Sequence, residues 1–265
     1  MNYETLAYDT RDHIARITLN RPQVGNAINI QMATELEDLC QRVNQDPDVR
    51  VLIITGSGSK AFCLGEDLDQ FSSAILGSSP SLAELKEFSL CCNVAAMVAA
   101  IECPVLASLN GDTLGMGLAM ALACDLRLAS DQAFFAVPDL SRGYFIASGI
   151  TQWLPRIVGR GKAMEMILTA EPVDAPQAHR IGLVHRLAAP EQVLAETEKL
   201  ADEIASRAPV ALRYVKEATN KGMDLTLEQG LRLECDLYMI LQTTQDRIEG
   251  ISAFREKKQP LFRGE

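Results

Sequence analysis

A chain of 265 residues with 48% hydrophobic and 23% charged residues can fill one large domain, or a core with an appendage, and lies far from disordered or collagen-like compositions. Thirty-five acidic against 25 basic residues leave a net charge of −10. Nucleic-acid backbone attraction is therefore excluded as the main binding force, and an anionic ligand must find a local basic cluster. The opening residues MNYETLAYDT contain Glu4 and Asp9 and no cationic-then-apolar leader, and the longest uncharged apolar stretch, 113–124, is too short to span a bilayer. A cytoplasmic location is expected, with no membrane partner. The seven cysteines lack CxxC spacing and read as reduced thiols.

In chain order, residues 3–8 and 13–19 read as a hairpin around the polar turn TRDH. Over 30–45, Met32, Leu36, Leu39, Cys40 and Val43 share one helical face, with Glu35, Glu37 and Asp38 opposite or flanking. The run VLIIT at 51–55 reads as a strand covered on both faces, ended by Gly56. Leu82, Leu85, Val94, Met97, Val98 and Ile101 mark a helix that Pro104 terminates, followed by a strand at 105–109, a turn at Asn110-Gly111-Asp112 and a helix from about Gly117. Short strands at 125–130 and 133–137 precede a helix near Gly149. Beyond 190 the strand signal ends, and helices are predicted at about 191–206, 210–221, 225–242 and 245–257. The division is a strand-strand-helix core at 1–190 and a helical region at 191–265.

Two glycine clusters invite chemistry. Gly56-Ser-Gly58-Ser-Lys60-Ala61 matches the loose dinucleotide fingerprint, but Phe62, Cys63 and Gly65 stand where its helix should open, and no acidic partner follows about 20 residues on. Turn chemistry explains these glycines equally well. The second cluster, Asn110 to Gly117, runs into the apolar stretch LAMALAC. A helix start there would present unpaired N–H groups to a developing oxyanion, and close packing against a strand is the competing explanation. His13, His179 and His185 sit at turns and element ends, and no His/Cys/Asp spacing suggests a metal.

Taken together, LNRPQVGNAIN (19–29), KAFCLGEDL (60–68), NGDTLGMGLAMALACDLRLAS (110–130), FFAVPDL (134–140) and EGISAFREKKQPLF (249–262) resemble the crotonase, or enoyl-CoA hydratase/isomerase, superfamily. Five motifs in order, over nearly the whole chain, carry that resemblance. It implies an α/β spiral of strand-strand-helix turns, a C-terminal helical region for trimer contacts, assembly as a trimer or dimer of trimers, and an acyl-CoA thioester substrate with no separate cofactor. Carried over by position, the oxyanion N–H groups fall on Glu66, after Gly65, and on Met116, after Gly115. Val24, Gly25 and Leu64 would line the CoA entrance. Phe254 and Lys257 would approach the nucleotide end, from this subunit or the next; Lys60, Arg21 and Lys258 are weaker phosphate candidates, each read first as a solvated surface charge.

The departures from the family pattern bear on the reaction. Where hydratases of the family carry two glutamates, this sequence has Ala119 and Asp139. One carboxylate, Asp139, suffices to move a proton between carbons, which favours enoyl-CoA isomerisation; its structural alternative is a helix cap. Glu66 either enters the pocket as a second acid or faces solvent, and Asp112 has the same two options. Either would restore an enoyl-CoA or dienoyl-CoA hydratase. Ring-opening hydrolysis, decarboxylation and acyl-CoA binding without catalysis also remain compatible, whereas the acidic charge and the lack of a Lys/Arg-rich helix argue against RNA. Tyr144, Phe145 and Ile146 add bulk after Asp139, favouring a shaped or cyclic acyl group.

Overall fold

Asp12 and His13 both adopt positive φ, 49° and 68°, and this tight turn joins β1 (Leu6–Arg11) to β2 (Ile14–Leu19) with Leu6 opposite Leu19 and Arg11 opposite Ile14. The hairpin expected from the sequence is present, but its first strand starts later and runs through the predicted turn, because a two-residue turn of this hand matches the strand twist. The computed structural model describes residues 3–69, 86, 89–143 and 145–265. Leu82, Leu85 and Tyr144 lie outside these.

Further strands are β3 (Val51–Gly56), β4 (Ala61–Cys63), β5 (Val105–Leu109), β6 (Asp112–Leu114), β7 (Leu126–Ser130), β8 (Phe134–Ala136), β9 (Val173–Asp174) and β10 (Arg186–Ala188). One sheet has the order β1-β2-β3-β5-β7-β10, parallel from β2 onward, and a second has the order β4-β6-β8-β9, with only β9 antiparallel. The helices are α1 (Ile30–Gln45), α2 (Val94–Ala99), α3 (Gly115–Ala123), α4 (Ile150–Val158), α5 (Arg160–Thr169), α6 (Ala175–Arg180), α7 (Val193–Ala205), α8 (Pro209–Gly222), α9 (Leu227–Leu241) and α10 (Gln245–Glu256).

Cover on both faces explains why β3 is apolar from Val51 to Ile54. Leu52 and Ile54 face the main core, whereas Val51 and Ile53 face a smaller cluster with Ile14, Leu106, Ala201 and Ala205. Helix α7 supplies Ala201 and Ala205, so the sheet is covered on both sides. The main core also takes Phe62 and Phe135 from the second sheet together with the buried faces of α1 and α3.

Local pattern misleads at several places. Glu35, placed among the polar residues of α1, is buried and receives N–H groups from Glu4 and Thr5 and the Thr5 hydroxyl, the last at 2.6 Å. Burial pushes its pKa up, and these hydrogen bonds with that of Gln31 bring it below the ordinary carboxylate value. α2 stops at Ala99, ahead of Pro104, and the chain beyond it is received by Asn44, which bonds Ala100 O and Glu102 N–H. Asp112, expected in a turn, opens β6, and α3 begins at Gly115 rather than Gly117.

The C-terminal carbonyls of α3 and the turn at Leu183 are tied together by Arg127, whose buried guanidinium donates to Cys124 O at 2.6 Å, Leu183 O at 2.8 Å and Ala121 O at 3.2 Å. Arg127→Met leaves those carbonyls unpaired, and an unpaired buried acceptor costs about 1–3 kcal/mol. We expect urea unfolding to show a loss on the order of 3 kcal/mol; a midpoint equal to that of wild type would disprove the clamp.

Candidate active site

Parallel pairing of β4, β6 and β8 builds the site. Cys63 pairs with Thr113, and Leu114 with Ala136, so the three strands end side by side. The residues just beyond each strand are thereby delivered to one place, at the carboxyl edge where α/β proteins collect ligands. β4 is followed by Leu64-Gly65-Glu66, β6 by Gly115-Met116 at the start of α3, and β8 by Val137-Pro138-Asp139.

Gly65 and Gly115 meet at the centre with positive φ, 101° and 48°. A Cβ on Gly65 would lie 3.3 Å from Leu114 O and 3.5 Å from Met116 N. The notch exists because neither residue has a side chain. Met116 is the second residue of α3, where a helical N–H has no intrahelical acceptor. The Glu66 N–H is oriented by its neighbours: Ile28 N–H bonds Gly65 O and Asp67 N–H bonds Ile28 O, both at 2.8 Å. In that parallel bridge the intervening N–H of Glu66 points away from Ile28.

Both carboxylates converge on the notch. Glu66 Oε2 lies 3.3 Å, and Asp139 Oδ2 3.7 Å, from where a Cβ on Gly115 would stand. Asp139 is 6% exposed, and its Oδ2 is buried without a hydrogen-bond partner, an arrangement that costs free energy unless something else repays it. Burial raises the Asp139 pKa, moderated by its own N–H and by Arg142. Burial also raises that of Glu66, whose own N–H opposes the shift, while the charge of Asp139 adds to it and Arg142 counters it. Two carboxyls of raised pKa beside one notch can share a proton and pass it on.

Of the two options for Glu66, the pocket is thus the observed one. Asp112 does not join it: the residue stands at the opposite end of β6, and its Oδ1 accepts from Phe134 N–H at 3.0 Å, tying β6 to β8. Ala119 is fully buried in the core. Val24, Gly25 and Leu64 lie together beside the notch. Leu64 N–H bonds Gly25 O at 3.0 Å, and a Cβ on Gly25 would strike Leu64 Cδ1 at 2.4 Å. Phe254, 86% exposed, instead lines an apolar cavity of about 640 Å³ with Tyr238, Leu241, Ile251 and Phe262, and Lys257 caps α10. Within one chain neither is brought to the carboxylates. Lys258 pairs with Glu256. Arg21 turns inward to Asp67 at 2.8 Å and Ala27 O at 2.7 Å, so its guanidinium is engaged away from the phosphate role expected of it. Phe145 is exposed and Ile146 buried.

Sequence reasoning missed Arg142, whose charge acts on both carboxylates; its position one 3-10 turn after Asp139 was the available signal. It also missed Asn26, whose amide bonds Ser57 O and Ala61 O at 3.0 Å. The turn reading of the first glycine cluster agrees with the structure, where Gly56 ends β3 and Gly58 leads into strand β4 and not a helix. Among the described residues no group of three or more His, Cys, Asp or Glu side chains is placed to hold a metal, and no helix is long and apolar enough to cross a membrane.

A glycine notch at the shared end of three parallel strands, with two carboxylates turned towards it and one of their oxygens buried without a partner, has the make-up of an enzyme active site, and comparison with known proteins shows the family. The family model described as enoyl-CoA hydratase/isomerase matches residues 9–265, and the chain belongs to that family, within the crotonase superfamily. It is 38% identical to crotonyl-CoA hydratase of Syntrophomonas wolfei, over 99% of each chain. It is 34% identical to (E)-benzylidenesuccinyl-CoA hydratase of Thauera aromatica, over 97% of this chain and 98% of that one. The crystal structure of an enoyl-CoA hydratase from Bacillus anthracis superposes with a TM-score of 0.93 at 33% identity, covering 99% and 100% of the two chains.

Proposed function

We propose that the protein hydrates an enoyl-CoA thioester with Glu66 and Asp139 as its acid-base pair. The observation that carries this reading is the convergence of the two carboxyls on Gly115, with one Asp139 oxygen buried and unpartnered. The thioester oxygen sits on the N–H groups of Glu66 and Met116, each such donor being worth about 3 kcal/mol of barrier. The ionised member of the pair takes a proton from water as the water oxygen bonds to the β-carbon, and the electron pair of the double bond moves to the thioester oxygen as an enolate. The protonated member then delivers its proton to the α-carbon, so one water is added and the pair keeps one proton. The names of the relatives above support this direction. CoA arrives as part of the substrate, and no further cofactor has a step to perform.

The isomerisation suggested by Ala119 remains a second reading, favoured by the absence of a carboxylate at that fully buried position. Asp139 alone would then take the proton from the α-carbon of a 3-enoyl thioester, leaving an enolate, and return it to the γ-carbon, the distal carbon of the double bond, as the 2,3 double bond forms. The readings separate on thioesters of one acyl skeleton, with hydration read from the mass gain of water and isomerisation from chromatographic resolution of the 2- and 3-enoyl esters. The wild-type protein is expected to add water to the 2-enoyl ester, and Glu66→Gln should lower that rate about 100-fold while leaving any 3-enoyl isomerisation within about 10-fold. Undiminished hydration by Glu66→Gln would return the assignment to Asp139 alone.

A trimer or dimer of trimers is part of the proposal. Leu227, Leu231, Tyr238, Met239 and Ile240 are exposed on α9, and Ile248, Ile251 and Phe254 on α10, more apolar surface than a monomer ordinarily shows to water. Assembly on that face would bring Phe254 and Lys257 to a neighbour's CoA. A cytoplasmic location accords with such a substrate and with buried thiols.

A further inference from the structure

Resting on the reading of Glu66 N–H as an oxyanion donor, we infer that the ion pair between Arg21 and Asp67 is a positioning device that fixes this donor through the loop lining the CoA entrance. Gly65 supplies the bend that aims the Glu66 N–H, but a glycine at φ 101° supplies no rigidity. Rigidity comes from outside the segment. Three backbone rungs, Leu64 N–H to Gly25 O, Ile28 N–H to Gly65 O and Asp67 N–H to Ile28 O, lash residues 64–67 to the loop at 25–28.

That loop is in turn braced by Arg21. Its N–H bonds Asn26 Oδ1 at 3.0 Å, its carbonyl accepts from Asn26 N–H at 2.9 Å, and its guanidinium reaches Ala27 O at 2.7 Å and Asp67 Oδ2 at 2.8 Å. The side chains of Arg21 and Asp67 are only 14% and 11% exposed. Such a pair is held in one geometry, unlike an exposed one that solvent screens. The carboxylate clamped by Arg21 follows Glu66 directly in the chain, so the charged tie closes a ring made of residues 21–28 and 64–67. Val24 and Gly25 lie on this ring. Contacts made to CoA at the entrance and the aim of the oxyanion donor are therefore properties of one rigid unit.

The test uses Asp67→Asn and Arg21→Gln in the full chain, each checked for a cooperative thermal transition, with the double variant, which leaves no lone buried charge, in reserve if a single one fails to fold. Turnover is measured on an enoyl-CoA and on the corresponding enoyl-pantetheine, which lacks the nucleotide. Carbonyl polarisation is read from the infrared frequency of a bound 13C-labelled thioester. We expect kcat to fall about 10- to 100-fold with both thioesters, KM to move less than about 3-fold, and the carbonyl shift seen in wild type to shrink. A rise in KM confined to the CoA ester would make Arg21 a phosphate contact and overturn the proposal. So would lost turnover with the full carbonyl shift retained, since the pair would then be merely structural. A wild-type carbonyl that shows no shift on binding would instead refute the oxyanion reading itself, and the positioning role with it.

Discussion

Asp139→Asn should cut turnover of the preferred enoyl-CoA by about 100-fold or more, the scale of a lost acid-base group, while changing the affinity for a saturated acyl-CoA by no more than a few-fold. The amide keeps the shape and burial of the carboxyl but can neither give nor take the proton. Stability should move the other way. Burial holds the Asp139 pKa above its ordinary 3.8, so the folded state binds this proton more tightly than the unfolded chain does. The stabilisation that goes with the proton is complete below the unfolded value and is lost as pH rises through the raised folded value. At neutral pH the buried carboxylate is a cost, and the asparagine variant escapes it. Its melting temperature should exceed that of wild type at pH 7, and the gap should close towards pH 4. Glu66 should titrate lower in the variant, because the neighbouring charge that raises its pKa is gone. A variant that turns over at the wild-type rate would remove Asp139 from the chemistry whatever its stability.

Gly117→Ala is expected to damage stability and catalysis together. A Cβ there would stand 2.4 Å from Cys63 O and 2.6 Å from Cys63 Cβ, inside contact distance of the strand end that delivers Gly65 and Glu66. The first turn of α3 and the end of β4 must move apart, an overpacking cost of about 1–3 kcal/mol, or roughly 3–10 °C of melting temperature for a chain of this size. The same movement separates the N–H of Glu66 from that of Met116, and a displacement near 1 Å at reacting groups costs about 100-fold in rate. Gly161→Ala is the matched control. Gly161 lies within α5 with nothing inside 4 Å of its would-be Cβ, and alanine there should be neutral or stabilising by about 0.5–1 kcal/mol. Equal behaviour of the two variants would mean that the helix start is not packed on β4 as described.

Long periodic segments were legible in the sequence because their signal is local. The apolar face of α1, the doubly covered β3 and the four C-terminal helices all lie within a residue or two of their predicted spans. The three-residue strands β4 and β6 were not legible, since each is shorter than any periodicity and exists only through pairing with its neighbours. The same limit explains the site. Asp139 and the two glycines could be named from motifs, but the direction of Glu66 depends on the rungs to Ile28 and on the register of β4 with β6, both long-range facts. Arg21 reads from the sequence as a solvated charge or a weak phosphate candidate because an isolated arginine has no visible partner in one dimension, and Asp67 lies 46 positions away. Glu35 was placed on the polar face for a similar reason: its donors from Glu4 and Thr5 stand just before β1, beyond the reach of helical periodicity.

The burial that builds the core also sorts the thiols by reactivity. Burial raises Cys40, Cys63 and Cys124 to about 12, and Cys92 and Cys103 to about 11, and Cys91 is closed off in the interior. Only thiolate attacks an alkylating reagent, so Cys40, Cys63, Cys103 and Cys124 are both buried and poor nucleophiles at neutral pH, and half-buried Cys92 is a poor nucleophile as well. Cys235 alone is exposed, on α9 beside the apolar residues of the C-terminal helices. The native chain thus carries one exposed chemical address, needing no engineered cysteine, at which a fluorophore or spin label would report on the assembly proposed above.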